Sequence, residues 1–546
     1  MKKSKNNLKI LLVIPRYSFS DKINYDYIFP LGLGSISAVI KNAGYEVNCL
    51  NINHKNGKTD QILKDTLNQK KYDIACTGGN ALAYHEIKII LDTLKKHESK
   101  PITILGGPII TSEPELIFEA LNPSIGVIGE GEETIIEILR TIRKKENWKD
   151  IDGIIFADSN GKTIKTKTRK PITDLDCLPY PDFEGLGFAE QLESGIHSSD
   201  NYFVYLSDNP RIYPLLASRS CPYQCTFCYH DSNYRKRSIK SIVKELKFAI
   251  KRYNINMIII YDDCFSIDEK GLYDFCREIK KLSKEFTRKI RWMCQLRVET
   301  VNEKMLKTMK DAGCEVISYG FESFSKKVLE SMRKNITPKQ IDYAFKKTLK
   351  AKIAIQANFI FGDTAETKET AKETLDYWKK NCKGQVNLGF IQPYPGSVIY
   401  ERCIKRGIIK DRLELIKSIN NILWLNMTDT MTDKEINDLK KEIWDATRRY
   451  RRFVVPKIKR NIHNNTYSAY VKCPYCKKEV EYNNIFINNP HFYNFFITCK
   501  ECYMRFFMLS PLMRIAYLNY PKVRPIIDIY THLQNKLLVW KKDNVI

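Results

Sequence analysis

The sequence predicts an α/β protein. An open, doubly wound parallel sheet comes first, then a partial (β/α)6 barrel, a helical segment and a small four-cysteine tail. Three observations carry this reading. Short apolar runs alternate with amphipathic stretches from Lys9 to about Lys145, which gives five βα units. The alternation resumes near Tyr213 and gives six more units up to Arg406. Between the two lies a Pro-rich stretch from Pro171 to Pro181, and past Gly407 the pattern turns helical and ends in paired cysteines. The expected domains are 1–150 for the sheet, 151–212 for a hairpin and linker, 213–406 for the barrel, 407–465 for a basic helical segment and 466–546 for the tail.

In the first part, strands are expected over 10–14, 47–52, 73–77, 102–105 and 126–128, separated by helices such as 34–42 and 86–96. Such sheets bind ligands beyond the carboxyl ends of their strands. Turn residues lie there: Gly78-Gly79, Gly106-Gly107-Pro108 and Gly129-Glu130-Gly131. Glycine allows close backbone approach, although single glycines of this kind occur in any α/β protein. Segments 154–157 and 163–167 flank Ser159-Asn160-Gly161, a hairpin turn because Asn-Gly tolerates positive φ. Barrel strands are expected over 215–218, 257–261, 291–296, 316–320, 355–361 and 387–391, with the chemistry at their carboxyl ends.

Composition excludes several classes. A chain of 546 residues suits three or four domains, and 43% hydrophobic residues support packed cores rather than wholesale disorder. No apolar run approaches the ~18 residues of a membrane span, so a transmembrane segment is not expected. The stretch from Met1 to Pro15 imitates a secretory signal. No small-residue cleavage site follows it, and Arg16 ends the apolar run, so a first buried strand is expected instead. Sixteen cysteines are too sparse for a disulfide scaffold, and several fall in metal-ligand spacings, which fits a reducing, cytoplasmic home. With 89 Lys plus Arg against 63 Asp plus Glu, the net charge is +26, widely spread, and reads first as a solvated surface. The densest basic run is Arg448, Arg449, Arg451, Arg452, Lys457, Lys459 and Arg460, with Tyr450 and Phe453 interleaved. Such a run suits a polyanion such as RNA, anionic lipid or a nucleotide-linked substrate, and charge alone does not choose among them.

The strongest chemical signal is Cys221-Pro-Tyr-Gln-Cys225-Thr-Phe-Cys228, immediately after the first barrel strand. Three thiolates on one short loop hold three corners of a cubane iron–sulfur cluster. A missing fourth ligand leaves one iron open to an exogenous group. In its setting Ser218-Arg219-Ser220-Cys221, this loop resembles the radical S-adenosylmethionine (SAM) superfamily. Further segments resemble its cobalamin-dependent branch in order and spacing. They are Tyr234-Arg235-Lys236-Arg237-Ser238, Tyr261-Asp262-Asp263-Cys264-Phe265, Gln295-Leu296-Arg297-Val298-Glu299, Ala312-Gly313-Cys314 and Tyr319-Gly320-Phe321-Glu322-Ser323. Phe359-Ile360-Phe361-Gly362 and Gln392-Pro393-Tyr394-Pro395-Gly396-Ser397 complete the set. The N-terminal part resembles that branch's Rossmann-like cobalamin-binding domain, through Pro30-Leu31-Gly32-Leu33, Gly106-Gly107-Pro108 and Gly129-Glu130-Gly131-Glu132. The resemblance covers roughly residues 8 to 406, not the tail, and in combination these motifs are specific.

The resemblance implies a [4Fe–4S] cluster on Cys221, Cys225 and Cys228, with SAM on the open iron. It puts Phe227 beside the adenine, Asp262 and Asp263 near the SAM amino group, and Glu322 and Ser323 near its polar groups; Gly106, Gly107 and Gly129 would line the cobalamin site. Ser323 also reads as a helix cap. Two departures stand out. Ser220 replaces the Gly usual before the first Cys, a mild change if the residue sits in a surface turn. The first sheet also lacks the D-x-H-x-x-G motif; Asn51-Ile52-Asn53-His54-Lys55-Asn56-Gly57 only echoes it, so His54 is expected to be a solvated loop residue and cobalamin to lack a protein His ligand.

In the tail, Cys473-Pro-Tyr-Cys476 and Cys499-Lys-Glu-Cys502 resemble the two knuckles of a zinc ribbon, with an auxiliary iron–sulfur cluster as the rival. The aromatic spacer, Phe492, Tyr493, Phe495 and Phe496, is expected to form the ribbon's core. The remaining cysteines read mostly as buried small hydrophobes. The implied activity is methyl transfer to an unactivated carbon by a radical SAM enzyme using cobalamin, on a small-molecule or biosynthetic-intermediate substrate, with a cellular one-electron reductant. Oxidative ring closure or rearrangement on the same cofactors is the alternative, and an RNA-binding or tRNA-modifying protein is the alternative of another class.

Overall fold

The computed structural model describes residues 8–18, 20–196, 203–229, 232–265, 268–419, 425–461, 466–487 and 489–519. The first sheet has seven strands: β1 (Lys9–Ile14), β2 (Glu46–Asn51), β3 (Ile74–Gly78), β4 (Ile102–Gly106), β5 (Ile125–Val127), β6 (Ile154–Ala157) and β7 (Thr163–Lys165). Their order is β2-β1-β3-β4-β5-β6-β7, with the first five parallel. β1 is buried at every position after Lys9. That continuous burial is the mark of a parallel strand covered by helices on both faces. The expected hairpin forms, with Ala157 opposite Thr163. It is no free linker, because β6 pairs antiparallel to β5 and extends the same sheet.

The second sheet is parallel throughout. It runs β8 (Ile212–Leu215), β11 (Met257–Ile260), β12 (Arg291–Leu296), β13 (Cys314–Glu322), β14 (Ala354–Phe361) and β15 (Asn387–Phe390). β8 and β15 do not pair, so the barrel is partial. A separate two-residue ladder joins β9 (Ser218–Arg219) to β10 (Arg235–Lys236). β8 starts earlier than the apolar run suggested and includes Pro214. As an edge strand hydrogen-bonded only to β11, it can accommodate a proline.

The two faces of the barrel strands bury against different partners. Ile258 and Ile260 join the large cluster that includes Leu246, Phe275 and Ile279 of the covering helices. Met257, Ile259, Met293, Val316 and Ala354 face inward and share a second cluster with Tyr482, Ile497 and Phe506 of the tail. The tail consists of β16 (Phe453–Val454), β17 (Lys457–Arg460), β18 (Tyr467–Lys472), β19 (Glu479–Ile485), β20 (Asn494–Thr498) and β21 (Arg505–Leu509), in two three-stranded sheets. It docks on the amino ends of the barrel strands. Lys500 Nζ donates to Asp208 at 2.7 Å, just before β8. The Arg505 guanidinium donates to Gln385 O and Asn387 Oδ1, each at 2.9 Å, at the start of β15. The tail is therefore the floor of the barrel.

After Gly407 the described residues form helices over Arg412–Ser418 and Asp433–Tyr450, the second opening with a Thr432–Glu435 capping box. Of the rest of the basic run, Arg451 and Arg452 precede β16, while Lys457, Lys459 and Arg460 lie on β17, which divides its charges. Arg451 lies over the rings of Phe496 and Phe507, whereas Lys457, Lys459 and Arg460 are exposed on β17. Among the described residues no helix is long and apolar enough to cross a membrane.

Candidate active site and metal centres

Cys221, Cys225 and Cys228 lie on the loop between β9 and β10, at the carboxyl end of β8. Pairing of Arg219 with Arg235 and of Ser218 with Lys236 closes the loop's base. Asp262, directly after β11, holds that base by accepting the Ala217 N–H at 2.7 Å and the Ser218 hydroxyl at 2.6 Å. Burial pushes Asp262 up to about 6. Ser220 has φ +63°, a left-handed conformation. Its replacement of Gly thus carries a backbone cost of roughly 1–2 kcal/mol that an ordinary surface turn would not impose. Its hydroxyl offsets part of this by donating to Ser232 O at 2.5 Å.

Two cations to which the sequence assigns no role flank the other side of the loop. The Thr226 N–H donates to Met332 O at 3.0 Å, which lays residues 332–334 along the cysteines. Lys334 Nζ lies 5.8 Å from the Phe227 ring and donates to Glu322 Oε1 at 2.7 Å. The Arg297 guanidinium stacks on Tyr223 at 3.6 Å and donates to Lys334 O at 2.5 Å. The Cys225 thiol is drawn down, first by the hydrogen bond from Cys228 and then, against burial, by Lys334 and Arg297. Arg297 was visible in its motif; Lys334 had no sequence signal beyond following a barrel strand.

The residues expected around SAM divide by what they already hold. Asp263 is exposed and lines the cavity described below. Glu322 sits at φ +56°, where β13 slips register, and pairs with Lys334. Gly320 makes room for that pair: a Cβ there would lie 2.1 Å from Glu322 Oε1 and 2.6 Å from Lys334 Nζ. Phe227 packs against the cluster containing Val328, Met332 and Ile391. Asp262 and Ser323 are buried and hold backbone. Ser323 Oγ accepts the Ser325 N–H at 3.1 Å and meets Thr374 Oγ1 at 3.1 Å, and the helix cap itself is Ser325.

A cavity of about 630 Å³ opens between the carboxyl ends of the first sheet and the barrel mouth. Gly106, Gly107 and Gly129 line it, as do Gly32, Tyr261 and Asp263. A Cβ at Gly32 or Gly129 would meet nothing within 4 Å, so these glycines leave standing room for a large planar group. Among the described residues, none that lines it is a histidine. His54 lies elsewhere and is not the solvated loop residue expected. Its side chain is 6% exposed, Nε2 is 2.8 Å from the Tyr27 hydroxyl, and Nδ1 is 2.9 Å from Glu190. The turn 129–132 meets the base of the cysteine loop directly. Glu130 accepts from Arg219 at 2.9 Å, Arg235 at 2.8 Å and the Ile172 N–H at 2.7 Å, and Glu132 accepts from Arg219 at 2.5 Å.

In the tail, the ligand atoms of Cys473, Cys476, Cys499 and Cys502 all lie within 4.8 Å of one another. The sulfurs of Cys473 and Cys502 are 3.7 Å apart, and those of Cys476 and Cys499 are 3.8 Å apart. A tetrahedral ion with metal–sulfur bonds of about 2.3 Å has edges of about 3.8 Å. This spacing fits one zinc ion and is too tight for thiolates on separate irons of a multi-iron cluster. Among the described residues the three loop cysteines do not converge in this way. The spacer aromatics pack as expected, with Phe496 3.8 Å from Phe507, except Phe492, which is 60% exposed. Cys177 likewise departs from the expectation of burial.

A three-thiolate loop at the mouth of a parallel barrel, roofed by a glycine-lined cofactor cavity, defines an iron–sulfur enzyme that works with further cofactors. The description of the radical SAM superfamily matches residues 215–377, and that of the B12 binding domain matches residues 23–139. The chain thus carries a radical SAM domain behind a B12-binding domain. Those two domains imply a [4Fe–4S] cluster, SAM and cobalamin. An uncharacterized methyltransferase of Pyrococcus horikoshii is 28% identical over 411 residues, covering 74% of this chain and 84% of the relative. The anaerobic magnesium-protoporphyrin IX monomethyl ester cyclase of Rubrivivax gelatinosus is 24% identical over 462 residues, covering 82% and 78%. The fold is similar to that of the radical SAM methyltransferase TsrM from Kitasatospora setae, with a TM-score of 0.58, 16% identity and coverage of 72% and 75%.

Proposed function

We propose that this protein methylates an unactivated carbon of a small biosynthetic intermediate, in the cytoplasm, drawing electrons from a one-electron donor. The observation that carries the reading is the shared chamber. Its wall includes turns of the first sheet together with Ser218, Ser220, Tyr261 and Asp263 of the barrel mouth. When bound, the cluster and SAM supply a carbon-centred radical and cobalamin a transferable methyl group. The chain's own residues align them. Cys221, Cys225 and Cys228 hold the cluster, Asp262 fixes the loop's base, and Lys334 and Arg297 set positive charge beside the thiolates. Asp263, at the cavity wall, and Glu322, paired with Lys334, would face SAM, while Gly106, Gly107 and Gly129 at the cavity wall would admit the corrin. Cys473, Cys476, Cys499 and Cys502 hold a structural zinc.

Ring closure is the second reading, favoured by the similarity to the Rubrivivax gelatinosus cyclase over 82% of this chain. A methylase uses SAM both as radical source and as methyl supply. Under strict reduction, with a cell extract supplying substrate, 5′-deoxyadenosine and S-adenosylhomocysteine should appear in matched amounts. Deoxyadenosine alone would transfer the assignment to ring closure, and neither product would overturn both readings.

A further inference from the structure

The turn that roofs the cavity also grips the cysteine loop: Gly129, Glu130, Gly131 and Glu132 all line the cavity, and the two glutamates reach the loop as well. Gly129 and Gly131 keep the backbone slim at the cavity wall, while Glu130 and Glu132 turn their carboxylates onto Arg219. Arg219 stands two residues before Cys221 and is bridged across the ladder to Arg235, which itself binds Glu130. All four side chains are at most 18% exposed. The ladder they clamp is only two residue pairs long and belongs to neither large sheet. A ladder that short does not hold itself, so the loop's base depends on its external anchors. Asp262 anchors it from the barrel, and the glutamates anchor it from the cofactor domain.

We propose that Glu130, Glu132, Arg219 and Arg235 couple the two sites: a corrinoid seated against the 129–132 turn stabilises the clamp and thereby retains the cluster on Cys221, Cys225 and Cys228. This rests on the cavity being the corrinoid site. The coupling is reciprocal, because two ligands that favour the same arrangement of a shared element raise each other's affinity by the same factor. Arg219 is the pivot: its two forked nitrogens serve two carboxylates at once, whereas a lysine offers a single point charge. These are positioning residues, since none is placed on a reacting atom.

The test uses the full-length, anaerobically reconstituted protein. Iron loss to a ferrous chelator is timed with and without saturating hydroxocobalamin, and corrin absorbance of the gel-filtered protein reports occupancy. Bound corrinoid should slow iron loss at least about fivefold, the lower end of ordinary site-to-site coupling. Iron-free protein should bind hydroxocobalamin more weakly than cluster-loaded protein. Arg219→Lys and Glu132→Gln, compared at corrinoid occupancy matched by absorbance, should each bring the iron-loss ratio to within about twofold of unity. An unchanged rate in the corrinoid-loaded wild type overturns the coupling, whether or not the variants fold. A full ratio retained in Arg219→Lys overturns the role of the clamp. Absence of corrin absorbance from the wild type removes the cavity assignment and the coupling with it, a failure the spectrum identifies before any iron is measured.

Discussion

The two thiolate sites sit at opposite ends of one barrel and are built on opposite plans. At the mouth, three cysteines lie on a single loop held by charges from elsewhere: Asp262 just after β11, Glu130 and Glu132 from the turn after β5, and Lys334 and Arg297 from the barrel domain. At the floor, four cysteines from two knuckles close on themselves at tetrahedral spacing, within the apolar cluster that fills the barrel's lower interior. An open site needs its neighbours to define it and leaves a position for chemistry. A closed site defines its own surroundings, and its metal contributes to folding. The difference assigns reactivity to the mouth and stability to the floor.

The largest expected effect tests that division. Cys473→Ser should remove the tail metal and release the floor, costing several kcal/mol and lowering the thermal midpoint by about 10 °C or more. Joint replacement of Cys221, Cys225 and Cys228 by Ala should abolish the cluster yet shift the midpoint of the iron-free protein by no more than about 3 °C. Equal losses in the two experiments would break the comparison.

Next in size is the pH response of the mouth. Folded Asp262 titrates at about 6, above its ordinary 3.8. Its favourable contribution to folding is therefore complete below about pH 4 and lost as pH rises through 6, a difference of about 3 kcal/mol. Urea unfolding at pH 4 and pH 7 should show that component in the wild type and its absence in Asp262→Asn. Parallel pH profiles would mean the loop's base does not depend on this carboxylate. The smallest effect sharpens the same point. Ser220→Gly removes the left-handed cost along with the hydroxyl's bond to Ser232 and should stabilise the apoprotein by about 0.5–1 kcal/mol. A loss of stability would mean that the hydroxyl's bond outweighs the backbone cost.

Legibility followed distance along the chain. β1 to β5 and the barrel strands after β8 were visible as short, largely apolar stretches between amphipathic ones, β8 was placed three residues too late, and the cysteine sets were visible because their spacing is local. The hairpin was readable as a hairpin, but its pairing with β5 is set by tertiary packing. His54 and Lys334 carry no local mark of their partners Tyr27, Glu190 and Glu322, which come from distant segments. The docking of the tail was equally hidden. Ile258 and Ile259 look alike in sequence, yet one faces the helices and the other the tail. Ser220 was recognisable as a departure, but its backbone angle was not.

The floor also imposes an order of assembly during synthesis. β15 ends at Phe390, whereas the last strand beneath the barrel ends at Leu509. At about 5–20 residues per second, a ribosome takes roughly 6–24 s to make the intervening stretch. For that interval the nascent barrel carries an uncovered apolar well of Met257, Ile259, Met293, Val316 and Ala354. Docking of the completed tail ends the exposure, and with a structural zinc on Cys473, Cys476, Cys499 and Cys502, as proposed, metal capture would set its timing. Scarcity of zinc would accordingly show itself first as aggregated newborn chains, and only afterwards as lost catalysis.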